Sequence, residues 1–465
     1  MQTGDKMRHI YTYITIVAAV GLFVGCATID DPAKVRQEHI ESFRAELKER
    51  EKERLASPLT LNDCINIALH ENYEVKQAVI NEQLALTNKD MSFANFLPYV
   101  DMTAKLTTWS HQPMAFGSFT QDKTVRTVDI GGAMPILMPS VWMMYANSKL
   151  GMSVSELSKH YVCQSVILDT SIAFFKCLNA EDNIATLETQ VSAAASQANR
   201  IGGMAKEGLI APWQSEQAEY QHKARVTELA RARRNLTTCK ATLLQSMGLS
   251  PELDITLDHA EVEIEVPQVT LEQLMLLALE KNPALSIQDH RIVMQENAVR
   301  SAIADFLPTL SAFANFNFTS DSIAAYNKNI YGGFSVAWNL FKGFANMANY
   351  KAAKLRKKSA ELERESVFIS VMLEVIKAEA SLRDAFESYG LAEAAYSSAK
   401  AKFVEYENKQ KEGLVTVNDM LDAQADMDKA QAILSLMKYQ RHLAAATLQM
   451  TLGTIGSEFL ENKEN

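Results

Sequence analysis

A chain of 465 residues with 46 Lys and Arg against 56 Asp and Glu carries a formal net charge of −10. That balance argues against a nucleic-acid binder, which would present a clustered basic face. Charged residues are 22% and glycine and proline number only 18 and 11, so the chain is neither disordered nor collagen-like.

At the N-terminus Lys6 and Arg8 precede an apolar stretch, 10–24, with Gly25 directly before Cys26. This is the layout of a secretory signal, residues 1–25. Leu22-Phe23-Val24-Gly25-Cys26 resembles a bacterial lipobox, in which the cysteine is diacylated and becomes the mature N-terminus. Phe23 departs from the usual aliphatic residue there, and a plain membrane anchor or an unlipidated signal is the competing reading. Ala27 after the cysteine, by resemblance, favours sorting to the outer membrane. Residues 30–56 are charge-dense and nearly free of large apolar side chains, which fits a tether, residues 26–58, between a lipid on Cys26 and the body, with a binding tail as the rival reading. Beyond the N-terminus no run of about 20 apolar residues is available to cross a membrane as a helix.

Residues 60–98 align without a gap to residues 270–308, and nine of the 39 positions are identical. Thr60-Leu61 and Thr270-Leu271 open the two segments, Asn72 and Asn282 punctuate them, and Phe96-Leu97-Pro98 and Phe306-Leu307-Pro308 close them. Further on, Glu207-Gly208-Leu209 matches Glu412-Gly413-Leu414, and Ala218, Leu243 and Gly248 match Ala423, Leu448 and Gly453. The length prior of about three domains therefore gives way to one duplicated architecture. The repeats span 59–250 and 270–455, joined by a linker, 251–269, and followed by a tail, 456–465.

After each Leu-Pro the pattern switches from helical to period two. Val100, Met102, Ala104 and Leu106 alternate with polar residues, as do Leu310, Ala312, Ala314, Phe316 and Phe318. Polar breaks at about 110–123 and 320–328 lead into second alternating runs, the clearer being Phe334, Val336, Trp338 and Leu340. Each repeat thus inserts one β-hairpin, at about 99–141 and about 309–342. Strands of about ten residues with one apolar and one polar face suit a transmembrane barrel wall. Trp109, Trp142, Tyr145 and Trp338 supply either interfacial aromatics or core packing. Four strands cannot close a barrel and lipid tolerates no open edge, so the protomer must oligomerise.

After each hairpin comes a long stretch of good helix formers, about 145–207 and 344–412. Runs of this length point to coiled coil rather than a compact globule. Ala380, Leu382, Ala385, Tyr389, Ala392, Ala395 and Tyr396 read as a closely packed seam. Cys64, Cys163, Cys177 and Cys239 have no CxxC spacing, and Cys163 and Cys177 are too far apart along one helix to bridge. They read as small buried hydrophobes, with no disulfide framework and no metal set. No HExxH, GxSxG or Walker motif is present, and Ser397–Lys400, an SxxK spacing in mid-helix, has no partner motif. The chain does not read as an enzyme.

The doubled helix–hairpin–helix plan, the Leu-Pro junctions and the Gly-Leu elements resemble the TolC-like outer membrane efflux protein family, in its lipoprotein branch. The resemblance implies a mainly α protein with a β-barrel part: a homotrimeric, twelve-stranded barrel continued by a long antiparallel helical tunnel. It implies the cell outer membrane of a Gram-negative bacterium, with a periplasmic helical part. The function implied is the exit duct of a tripartite efflux pump or type I secretion system, joined to a periplasmic adaptor and an inner-membrane transporter. No cofactor and no nucleic acid enter this reading. In that frame Gly208, Leu209, Gly413 and Leu414 are adaptor-contact tips. Asp419 and Asp422, three apart on one helix face, are candidates for an acidic ring at the periplasmic gate; the rival reading is a solvated face. Gln214 stands where the first copy would need an aspartate, and Gln410 and Val415 stand where the family has its latch tyrosine and arginine. The competing function is a lipid-anchored periplasmic coiled-coil scaffold or adaptor without pore activity.

Overall fold

The computed structural model describes residues 58–259 and 269–457, together with Phe459 and, ahead of the body, residues 34, 36–37 and 40–41. Cys26, the signal and most of the tether lie outside the described residues.

The first repeat opens with α1 (Leu61–Glu71) and α2 (Tyr73–Ala94), the second with α5 (Leu271–Lys281) and α6 (Pro283–Ala304). Thr60 and Thr270 each cap the first helix in a capping box, closed by Asp63 and Gln273. The punctuating asparagines have two tasks. Asn72 Oδ1 accepts from the Glu74 and Val75 amides at the start of α2, while its Nδ2 donates to the Ser246 carbonyl at 2.7 Å. Asn282 Oδ1 accepts from the Ala284 amide at the start of α6, and its Nδ2 donates to the Thr451 carbonyl at 3.0 Å. Each asparagine therefore ties a helix start to the end of that repeat's last helix. Proline then ends the helical run, because Pro98 and Pro308 cannot donate and restrict the residue before them.

The strands follow at once: β1 (Tyr99–Thr108), a two-residue ladder of β2 (Met114–Ala115) with β3 (Ser118–Phe119), β4 (Thr124–Leu137), and in the second repeat β5 (Thr309–Thr319) and β6 (Lys328–Ala337). The small ladder sits in the polar break of the first hairpin, which sequence reading treats as plain loop. The four long strands form one antiparallel sheet in the order β1-β4-β5-β6, leaving β1 and β6 as open edges. Register segregates the faces: Met102 opposes Ile130, Ile130 opposes Phe316, and Phe316 opposes Ile330, whereas Thr103 opposes Asp129 and Asp129 opposes Asn317. Asn317 donates to Asp129 at 2.5 Å on the polar face. The apolar face is bare, with Val100, Met102, Leu106, Ile330, Phe334 and Val336 all more than 60% exposed.

Two boundaries differ from the sequence reading. The return helix of the first repeat, α3 (Pro139–Lys206), starts six residues before Tyr145, with Pro139 preset for the first helical position. In the second repeat the ladder stops at Ala337, because its partner β5 begins at Thr309. Trp338 and Leu340 therefore lie outside the strand, in a seven-residue link that ends on left-handed Gly343 and Phe344 before α7 (Ala345–Lys411). Trp338 Nε1 donates to the Phe306 carbonyl, and Tyr145 packs on Phe93 and Phe96.

The helices α3 and α7, of 68 and 67 residues, are each about 100 Å long. Near the sheet α2, α3, α6 and α7 pack in sequence, clipped by Lys159–Glu82, Asn297–Asn147 and Lys357–Glu296. Farther out α3 pairs with α4 (Pro212–Ser246) and α7 with α8 (Val417–Leu452). Burial along α7 falls on Val371, Val375, Ala378, Leu382, Ala385, Tyr389, Ala392, Tyr396 and Ala399, alternating steps of four and three, the 3.5 repeat of a left-handed coiled coil. Ala380 and Ala395, counted in the seam on sequence, face out. Lys400 lies over the Tyr396 ring, which accounts for the SxxK spacing without chemistry. One window of α3 is apolar enough to cross a membrane by composition, but 61% of it is buried inside the protein.

Candidate functional site

The far ends of the two helical hairpins are built alike. Gly208 and Gly413 adopt φ of +75° and +74°, the left-handed conformation that glycine enters without a Cβ penalty. The Leu209 amide donates to the Met204 carbonyl and the Leu414 amide to the Lys409 carbonyl, both at 2.9 Å. These are Schellman turns, and they hold both leucines outward, 66% and 70% exposed.

The next helices start differently. Pro212 opens α4, and the Ala211 amide donates to Gln214 Oε1 at 3.2 Å. Thr416 caps α8, and Asp419 answers it: the Thr416 amide and hydroxyl donate to Asp419 Oδ2 at 3.0 and 2.5 Å, and the Asp419 amide donates back to Thr416 Oγ1. Those bonds from Thr416 hold the Asp419 carboxyl below its ordinary value. Gln214 and Asp419 thus occupy equivalent places and perform the same capping task. Asp422, one turn on, has no such task. It lines a cleft of about 310 Å³ between α3, α4 and α8, with Gln190, Gln197, Tyr220, Arg225 and Asp428. Within one protomer the two aspartates are differently employed. Gln410 and Val415 belong to the tip turn, where the Gln410 carbonyl accepts from Gly413.

Asp428 is the anchor of the cleft and is not among the residues singled out on sequence. Its side chain is 8% exposed and pairs with Arg225 at 3.3 Å. Burial pushes its carboxyl up to about 6, against the pull of Arg225 and of a hydrogen bond from Gln190. Gln190 Oε1 and Gln197 Nε2, buried beside it, have no partner among the described residues. Above Asp428 a polar ladder joins α8 to α3: Gln431 to Thr186 at 3.3 Å, Ser435 to Asn179 at 3.3 Å, and Tyr439 donating to Asp182 at 2.5 Å. His442 ends the series, stacked on Phe175 at 4.7 Å. The spacing 428, 431, 435, 439, 442 is a heptad stripe of polar residues, a signal present in the sequence though its partner is not. So α8 seats on α3 largely through hydrogen bonds, while α7 and α8 close over the core of Leu274, Val375, Leu382 and Leu448.

Residues 274–454 match the family model of outer membrane efflux proteins. Outer membrane protein TolC of Escherichia coli (strain K12) is 23% identical over 338 residues, which cover 69% of this chain and 68% of that protein. Among solved structures, the CmeC outer membrane channel of Campylobacter jejuni superposes with a TM-score of 0.76 at 19% identity, covering 87% of this chain and 88% of that one. A membrane protein from Pseudomonas aeruginosa gives a TM-score of 0.75 at 16% identity, over 84% and 92%. At these identities the structural likeness establishes the fold.

Proposed function

We infer that this chain, a TolC-like outer membrane efflux protein, is the passive exit duct of a tripartite efflux pump or type I secretion system. It sits in the outer membrane of a Gram-negative bacterium and reaches into the periplasm with its helices. The observation that carries this reading is the sheet: four strands with one bare apolar face, two open edges and helices about 100 Å long beneath. Unpaired edges are not tolerated in lipid, so β6 of one copy pairs with β1 of the next. Three copies give twelve strands, an even number within the range of such barrels. Conduction needs no catalytic group; a periplasmic adaptor and an inner-membrane transporter supply selection and energy.

The exposed Leu209 and Leu414, fixed by the Gly208 and Gly413 turns, are the adaptor contacts in this reading. Asp422, repeated by the threefold, and Asp419 beside it form the acidic constriction, and a lipid on Cys26 secures the chain to the membrane. Purified trimer in a planar bilayer is expected to conduct with cation preference, and Asp422→Asn to reduce that preference more than Asp419→Asn. A stable trimer that never conducts would sink the duct and favour the lipid-anchored scaffold. Cysteines at Leu209 and Leu414 are expected to crosslink to a co-expressed adaptor; the absence of a crosslink from both sites counts against the tip assignment.

A further inference from the structure

Cys177 on α3 and Cys239 on α4 each lie thirty-one residues from Gly208, on opposite arms of the first helical hairpin. In an antiparallel helix pair, residues equidistant from the turn stand at one height, and here both thiols are free and lie close enough for each to act on the other's charge. Nearer the turn, Gly202 and Ser215 lie six and seven residues from Gly208, and a Cβ on Gly202 would stand 3.6 Å from Ser215 Oγ; farther out the long side chains of Glu181 and Lys240 meet at 3.1 Å and those of Glu188 and Arg233 at 2.7 Å, reaching along the same helix pair. The second repeat gives an independent check. Its equivalent positions, Leu382 and Ala444, are likewise thirty-one residues from Gly413 and pack into one apolar cluster. The fold therefore makes these facing sites in both repeats, apolar in the second and a thiol pair in the first.

We propose that Cys177 and Cys239 are joined by a disulfide in the mature periplasmic protein, stapling α3 to α4 midway between the sheet and the tip. The inference rests on the periplasmic placement, an oxidising compartment where disulfides form and persist. A thiolate of the pair attacks a disulfide oxidant, whether an oxidoreductase or glutathione disulfide. That attack expels one sulfur of the oxidant as a thiolate; the second cysteine thiolate then displaces the other from the mixed disulfide, and the two departing sulfurs carry the two electrons and take up the two protons that the cysteines lost. Cys177 is fully buried and Cys239 half-buried. Burial pushes both thiols up, away from the reactive thiolate. Oxidation therefore precedes packing, and the packed body then shields the bond. Cys64 on α1 lies close enough to Cys177 to act on its charge, yet it belongs to another element and is not equidistant from the turn.

The test is to extract the protein from cell envelopes under denaturing conditions with excess thiol-alkylating reagent, then map peptides by mass without reduction. A Cys177–Cys239 crosslinked peptide, with Cys64 and Cys163 alkylated, is expected. Alkylation of both Cys177 and Cys239, or a bridge through Cys64, overturns the proposal. Dithiothreitol is expected to lower the melting temperature of the native chain by several degrees while leaving Cys239→Ser unmoved; an equal effect on both overturns it as well. Bond and duct fail separately: alkylated thiols in a conducting trimer remove the bond alone, and a bonded chain without conductance removes the duct alone.

Discussion

Asp428 and His442 lie fourteen residues apart on the face of α8 that seats against α3, and both are buried. Burial pushes the carboxyl of Asp428 up to about 6 from 3.8, and burial, with repulsion from Arg441 and Lys438, pushes the His442 imidazole down to about 4 from 6.5. The signs oppose each other. A raised carboxyl gives stability that is present below its unfolded value and lost as pH rises through about 6. A lowered imidazole gives stability that is present above 6.5 and lost as pH falls toward 4. Each is worth on the order of 2 kcal/mol, over nearly the same window, so the melting temperature of the native chain is expected to change little between pH 4.5 and 7. Asp428→Asn should leave the His442 dependence exposed, with stability falling on acidification. His442→Phe should do the reverse, with stability falling as pH rises. Flat profiles for both variants, measured by thermal unfolding, would refute the account.

At the scale of elements, the marks that make the duplication legible are turn and cap chemistry. Gly248 and Gly453 have φ of +77° and +73°, and a Cβ on either would lie 2.5 Å from the Glu71 carbonyl oxygen or 2.7 Å from that of Lys281. The closing glycine of each repeat therefore lies directly against the first helix junction, beside the asparagine that binds the same corner. Gly453→Ala is expected to cost about 2 kcal/mol or more through backbone strain and the clash. Asn282→Ala should cost about 1 kcal/mol for the cap alone, and both are readable as shifts in urea midpoint. Such local rules are written in short stretches of sequence, so helices, hairpins and tips could all be read from it. Non-local pairing could not. The ladder from Asp428 to Tyr439 and the meeting of Cys177 with Cys239 join residues on separate helices, and the strand ends are set by the partner strand. Asp419 shows the converse: a capping box visible in Thr416–Asp419 is easily passed over when the aspartate is assigned to a lumen by resemblance.

For the whole molecule, the two sheet faces set what the assembly tolerates. Met102 and Thr103 are neighbours on β1 but point to opposite faces. In the proposed duct Met102→Lys places a charge on the face that meets lipid, costing about 2–4 kcal/mol near the midplane. It is expected to abolish the heat-resistant trimer on gels, whereas Thr103→Lys should assemble and alter conductance. Equal tolerance of both would contradict the assigned faces.

The two repeats also differ where helix returns from sheet. In the first, one residue, Met138, separates β4 from Pro139 of α3; in the second, seven residues intervene, ending in two left-handed ones. Mechanically these are a stiff strut and a compliant one. Bending or rotation imposed on the far end of α3 is passed directly to the sheet. The same load on α7 is taken up in the dihedrals of residues 338–344, so the second helical hairpin can swing at its tip without shearing the four-stranded ladder.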